Sequence, residues 1–263
     1  MNESRAYRKA IAATLTTLMV AVLAGCSSIA APASADAADT AVTIHLTRHG
    51  QTWFNLLDRV QGWSDSPLTD AGRESATTLG QRLQASGIVF DAAYAGDMTR
   101  HRDTASLILD AMGSSLVASP DDSLREMSFG GFEGGPNGDM VSAVLRNRGY
   151  DTIDQLFPDG RIDKLTLSAE ISAANPRPET TAETPEQVAT RAVDALTRIA
   201  RAEKRETEPR DVLVVSSGLT ILCVLDALGG STEEDIQNGS VTTLVYDGES
   251  WTVGTVNDTG SRS

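Results

Sequence analysis

Leu46-Thr47-Arg48-His49-Gly50-Gln51-Thr52 is the stretch on which this chain turns. It ends a short β-type run that begins at Ala41, so an Arg-His-Gly triplet falls just past the end of a buried strand. Arg offers a planar fork of donors that matches phosphate. His works as a nucleophile or proton carrier near neutral pH. Gly lets the backbone turn sharply and come close to a ligand. Taken alone, the triplet fits an ordinary surface Arg-His pair as readily as an anion site.

Outward from it come Asn55, Arg59 and the run Gln61-Gly62-Trp63-Ser64-Asp65-Ser66-Pro67-Leu68-Thr69-Asp70-Ala71-Gly72. Two more blocks follow. One is Tyr94-Ala95-Gly96-Asp97-Met98-Thr99-Arg100-His101-Arg102-Asp103-Thr104-Ala105, and the other is Leu124-Arg125-Glu126-Met127-Ser128-Phe129-Gly130-Gly131-Phe132-Glu133-Gly134. In these motifs the chain resembles the histidine phosphatase superfamily, also called phosphoglycerate mutase-like. The first block is similar to that family's Arg-His-Gly and Asp-Ser-Pro-Leu-Thr pattern. The second resembles Tyr-Ser-Ser-x-x-x-Arg-Ala-x-x-Thr-Ala, and the third Leu-x-Glu…Gly-x-x-Glu-Gly. The resemblance runs from about Val42 to Val256.

The resemblance implies that His49 attacks phosphorus and becomes phosphohistidine, which splits one hard displacement into two easier ones. Arg48, Arg100 and Asn55 would hold the phosphoryl oxygens, where transition-state charge develops. Glu126 would protonate the leaving oxygen and then activate water. No cofactor and no metal are implied. Arg59 and Gln61 fit structural hydrogen bonding and ligand contact equally well.

One departure outweighs the matches. The family places a second active-site His in Ser-His-Gly after a late apolar strand, but Val212-Leu213-Val214-Val215 leads here into Ser216-Ser217-Gly218. Ser217 keeps a donor and loses the charge and reach of imidazole. It also sits at a helix start, where free N–H groups favour anions, so phosphate binding should survive better than catalysis. The histidines are His45, His49 and His101, none near 217 in sequence. A helical turn of about 100° separates His101 from Arg100, which argues against His101 as a substitute. His45 alternates with the inward residues of its strand and reads as structural.

The N-terminus has Arg5, Arg8 and Lys9, an apolar run from Ala10 to Leu23, then Leu23-Ala24-Gly25-Cys26. That is the shape of a secretory signal, with small residues before a Cys as in a bacterial lipobox. Residues 1–25 read as a lipoprotein signal peptide, Cys26 as the lipidated residue, and 26–40 as a flexible Ala/Ser/Pro tether. An exported chain held on the extracytoplasmic face of the cell membrane is expected. Residues 41–263 form one α/β domain, large enough to bury its own core. Cys223 lies in an apolar run and reads as core.

The formal charge is −14. Loss of Arg5, Arg8 and Lys9 against Glu3 leaves the mature part about −16, which argues against nucleic acid or an anionic lipid surface as partner. A phosphorylated small molecule or phosphopeptide must be drawn in by local arginines.

Patterning places strands at 42–47, 90–95, 211–215, 241–246 and 251–256. Helices are expected at 70–86, 99–112, 184–204 and 219–228, the third opened by the capping box Thr184-Pro185-Glu186-Gln187. This alternation predicts an α/β fold, a three-layer α/β/α sandwich with a mostly parallel central sheet. The Gly- and Pro-rich stretch 129–183 reads as a cap insertion with one or two short helices.

Two readings follow. The first is a phosphomonoester hydrolase, of reduced activity because of Ser217. The second is a non-catalytic phosphate- or phospho-ligand-binding lipoprotein, a pseudophosphatase. A phosphoglycerate mutase is disfavoured, because export would separate the chain from glycolytic substrate.

Overall fold

The computed structural model describes residues 40–231 and 235–260. The signal, lipidation and most of the tether assigned above lie outside them. Six strands form one sheet in the order β3-β2-β4-β1-β5-β6. They are β1 (Val42–Arg48), β2 (Ala92–Ala95), β3 (Ser119–Pro120), β4 (Arg210–Ser216), β5 (Val241–Tyr246) and β6 (Trp251–Val253). β1 runs parallel to β4, and β4 to β2, while β5 is antiparallel to β1. The expected mostly parallel sheet with a closing hairpin is therefore present.

Strand alternation splits the sheet between two cores. Val42, Ile44, Leu46, Val212, Val214 and Leu244 face α6 (Pro185–Glu203) and α7 (Gly218–Ala227). Ala93, Ala95, Leu213, Val215 and Val241 face α2 (Asp70–Ala85) and α3 (Thr99–Ala111). β4 contributes to both cores, which is why it is apolar throughout. The Thr184 capping box forms as the sequence indicates, with both reciprocal bonds made. Val188, Leu196 and Ile199 are buried on α6, and Val193 is half-buried.

Patterning overlooks a four-residue helix, α1 (Trp53–Leu56), and the two-residue β3. Both are too short to show a period. The stretch between Phe129 and Glu183 folds into α4 (Asn137–Arg148) and α5 (Lys164–Ala173), with one 3₁₀ turn before α4 and one between the two helices. Phe132, Met140, Ala143, Val144 and Ile171 form a small core there, joined by Val60 from the segment after α1.

The topology places the carboxyl ends of β1 and β4 side by side, with Arg48 opposite Ser216. Chain segments leaving those two ends, His49-Gly50 and Ser217-Gly218, begin as neighbours. Crevices at such strand ends are where open α/β sheets bind ligands.

Candidate active site

His49 leaves β1 with its N–H bonded to Ser216 O at 3.0 Å. Its Nδ1 lies 2.8 Å from Gly50 O. A carbonyl only accepts, so Nδ1 carries the proton and Nε2 keeps its lone pair. Burial, then Arg100 and Arg48, lower the His49 pKa well below the ordinary value. Each of these disfavours imidazolium, so the ring is neutral with Nε2 free. Asn238 donates to His49 O at 2.7 Å, and Thr104 Oγ1 accepts from Gly50 N at 3.1 Å. Thr104 lies in a matched motif; nothing in the sequence pointed to Asn238.

Arg48 donates through Nη1 to Ile236 O at 2.5 Å. Arg100 is fully buried and holds Gly62 O at 2.7 Å, Ser64 O at 3.0 Å and Asp65 Oδ1 at 3.0 Å. Much of its fork thus fixes the 62–65 loop, a structural task the resemblance does not suggest. Nε of Arg48 and Nε of Arg100 are buried donors without a partner among the described residues. So is Gln61 Nε2, whose Oε1 accepts from Thr52 and Ser66. Unpaired buried donors of this kind call for an acceptor. Burial lowers both arginine pKa values, yet guanidinium stays charged in proteins.

The 62–65 loop is itself pinned by Glu133. That carboxylate accepts from the N–H groups of Gly62, Trp63, Ser64 and Phe129 and from the Ser64 hydroxyl. Sequence reading matched Glu133 to a motif without seeing this role. Arg59 bonds Gly134 O at 2.7 Å, a structural contact. Asn55 Oδ1 accepts from Thr52 N in the α1 capping box, which fixes the orientation of its amide. His45 bonds Asp211 at 2.7 Å and packs edge-on against Phe90, the structural place its strand position indicates.

Two expectations need correction. The first concerns the start of α7. Glu126 accepts there from Leu219 N, Thr220 N and Thr220 Oγ1, each at 3.0 Å, and from Met127 N at 2.9 Å. The N–H groups expected to greet an anion already have one, and Glu126 is the helix cap.

The second concerns His101. Arg100, His101, Thr104, Ala105, Ile108 and Leu109 are all buried on α3. A helix entering a sheet buries a stripe about 100° wide or more, so neighbours on one turn both face inward. His101 Nε2 lies 2.7 Å from Ser217 Oγ, and its ring centroid is 5.4 Å from that of His49. The signal was present in sequence: His101, Ala105 and Ile108 share one helical face.

The cap also reaches toward the site. Burial and the nearby Arg48 lower the Lys164 pKa, and Lys164 pairs with Asp235. A cleft of about 640 Å³ lies beside it, between the start of α5 and α7, with Ile162, Leu165, Leu222 and Leu225 in its lining.

The family model described as histidine phosphatase superfamily, branch 1, matches residues 44–160 and 141–259. A 2,3-bisphosphoglycerate-dependent phosphoglycerate mutase of Afipia carboxidovorans is 41% identical over 90 residues, 34% of this chain and 44% of that protein. The chain thus spans less than half the length of the curated relatives it matches. The crystal structure of phosphoglycerate mutase from Bacillus anthracis is 35% identical, with a TM-score of 0.76 over 85% of this chain and 96% of that one. Bacillus stearothermophilus YhfR is 27% identical, with a TM-score of 0.64 over 82% and 97%.

Proposed function

The chain belongs to the histidine phosphatase superfamily, and on that premise we propose that it is a phosphomonoester hydrolase working through a phosphohistidine on His49. The observation that carries this reading is the neutral imidazole with its Nε2 lone pair free, set among unpartnered donors of Arg48 and Arg100. A nucleophile kept uncharged beside two guanidinium groups suits attack on an anionic phosphoryl group, whose charge those groups offset as it develops. The two arginines supply the positive charge a metal would otherwise bring, so the reaction proposed is metal-independent. Asn55 and Gln61 add neutral donors. Glu126 would have to release a helix-capping bond to carry a proton.

The purified full chain should hydrolyse p-nitrophenyl phosphate in the presence of a chelator. Quenching during turnover in detergent at alkaline pH should trap a phosphohistidine, stable to base and lost on acid treatment, that is absent in His49→Ala. The second reading, a phospho-ligand-binding pseudophosphatase, is favoured by Ser217 and by a His49 only 3% exposed. It prevails if the wild type is silent while inorganic phosphate still raises the melting temperature.

We also propose that Cys26 carries the lipid that tethers the domain outside the cell, on the strength of Leu23-Ala24-Gly25-Cys26. No described helix is long and apolar enough to cross a membrane. Metabolic labelling with a radioactive fatty acid, lost in Cys26→Ala, tests the tether.

A further inference from the structure

α3 presents a side chain that the phosphohistidine reading leaves idle. His101 is fully buried, with Nε2 on the Ser217 hydroxyl and Nδ1 without a partner among the described residues. A half-satisfied buried imidazole is a costly way to fill space that Phe would fill without polar atoms. Room for the ring depends on Gly96, where a Cβ would lie 2.3 Å from His101 Nδ1 and 2.9 Å from Cε1.

Ser217 is equally out of its usual role. A Ser at the N-cap ordinarily accepts from the N–H groups of the first turn. On α7 those donors go to Glu126, and the Ser217 hydroxyl makes no cap bond. It is left facing His101, whose ring centroid lies 5.4 Å from that of His49. Gly96, His101 and Ser217 are also, with Ala95, positions where the motifs depart from the family pattern quoted above, and those three meet at one point.

We infer that Ser217 and His101 form a proton relay at the phosphoryl site, with the Ser217 hydroxyl touching the transferring group and the His101 imidazole holding its proton in transit. The inference rests on the phosphohistidine reading. His101 carries its resident proton on Nδ1, and Nε2 accepts from Ser217. A phosphomonoester monoanion gives its P–OH proton to Ser217 Oγ as the Ser217 proton moves to Nε2. His49 Nε2 then bonds phosphorus, the ester P–O bond breaks, and the proton returns through Ser217 to the leaving oxygen, which departs as an alcohol. In the second half a water oxygen bonds phosphorus as the P–N bond breaks. One water proton crosses Ser217 to His101 and passes to a phosphate oxygen, leaving dihydrogen phosphate and neutral His49. Burial, with Arg100, His49 and Arg125 nearby, lowers the His101 pKa, so the proton is held only in passing. His101 acts through Ser217 and is a positioning residue; Ser217 is the group that touches substrate.

The test compares two esters on the full chain. p-Nitrophenolate leaves without a proton, whereas the alkoxide of β-glycerol phosphate needs one. Ser217→Ala and His101→Gln should each lower kcat/KM, which reads only the step that expels the leaving group, by about 10²–10⁴-fold more on the alkyl ester than on the aryl ester, the span of a general acid. The double variant His101→Ala/Ser217→His, which brings the imidazole from α7 instead, should restore at least part of the alkyl-ester rate relative to Ser217→Ala. A purely structural role lowers both esters in the same proportion, and that result overturns the relay. If His101→Gln does not fold, Ser217→Ala reads the same ratio. A wild type that turns over both esters, with unchanged ratios in the variants, sinks the relay alone. A wild type that hydrolyses neither and traps no phosphohistidine sinks the parent reading with it.

Discussion

Replacing Glu133 by Ala should damage fold and site together, by an amount the geometry allows to be worked out. The carboxylate accepts five hydrogen bonds, four from backbone N–H groups. The Trp63 N–H lies at the surface, where water takes over. Gly62 is buried, and Ser64 and Phe129 are half-buried, so water reaches their N–H groups poorly. Hydrogen bonds to a charged group are worth about 1.5–3 kcal/mol, and partial exposure argues for the low end or below. Three such losses give about 3–4 kcal/mol. For a domain of 150–250 residues each kcal/mol moves the melting temperature by roughly 2–4 °C, so a fall of about 10 °C is expected. The damage reaches the site because Gly62 O and Ser64 O hold the Arg100 guanidinium. KM for p-nitrophenyl phosphate should therefore rise, by about tenfold if one phosphate-directed donor loses its aim. Differential scanning calorimetry and steady-state kinetics read the two effects. A melting temperature within 3 °C of wild type would refute the assignment of Glu133 as the anchor of the 62–65 loop.

Two other outcomes are expected. Stability should fall on acidification below about pH 6.5, the unfolded pKa of His. His49 and His101 both have folded values lowered by burial and by neighbouring cations. The unfolded chain then binds protons the folded chain refuses, which stabilises the fold above that pH and costs up to about 2.7 kcal/mol per pH unit below it. Urea titrations between pH 7 and 5 measure the slope; the same slope in His49→Gln/His101→Gln would show that these rings are not its source. Asp65→Ala removes the carboxylate that accepts from Arg100 Nη1 at 3.0 Å and from Thr99 N at 2.6 Å. Asp65 is a quarter exposed, which softens the cost of stranding a buried partner to about 2–3 kcal/mol. Unchanged stability there would mean that Arg100 is held by the Gly62 and Ser64 carbonyls alone.

Much of the site was legible because its parts lie close to motif-bearing turns. Arg48 and His49 follow an apolar strand, and only a strand end can place them at a crevice. Asp65, Thr104 and Glu133 lay inside recognisable blocks, yet the site segments they hold are 34–71 residues away. No local pattern states which carboxylate a loop will wrap around. The role of Glu126 changed for the same reason, since the donors it satisfies are 93 and 94 residues downstream.

The sequence by itself determined the architecture and singled out His49, the nucleophile proposed here. Alternating strand and helix periods leave a doubly covered sheet as the way to bury both faces of β4. An Arg-His-Gly turn after the first strand aims one imidazole at the crevice. Only the tertiary structure decided where a second imidazole comes from. His101 and Ser217 are 116 residues apart, and they meet because the first turn of α3 packs over the carboxyl end of β4 in a space that Gly96 leaves open. A contact of that separation is set by how a helix seats on a sheet, through burial summed over many side chains, and not by the residues on either side of the histidine.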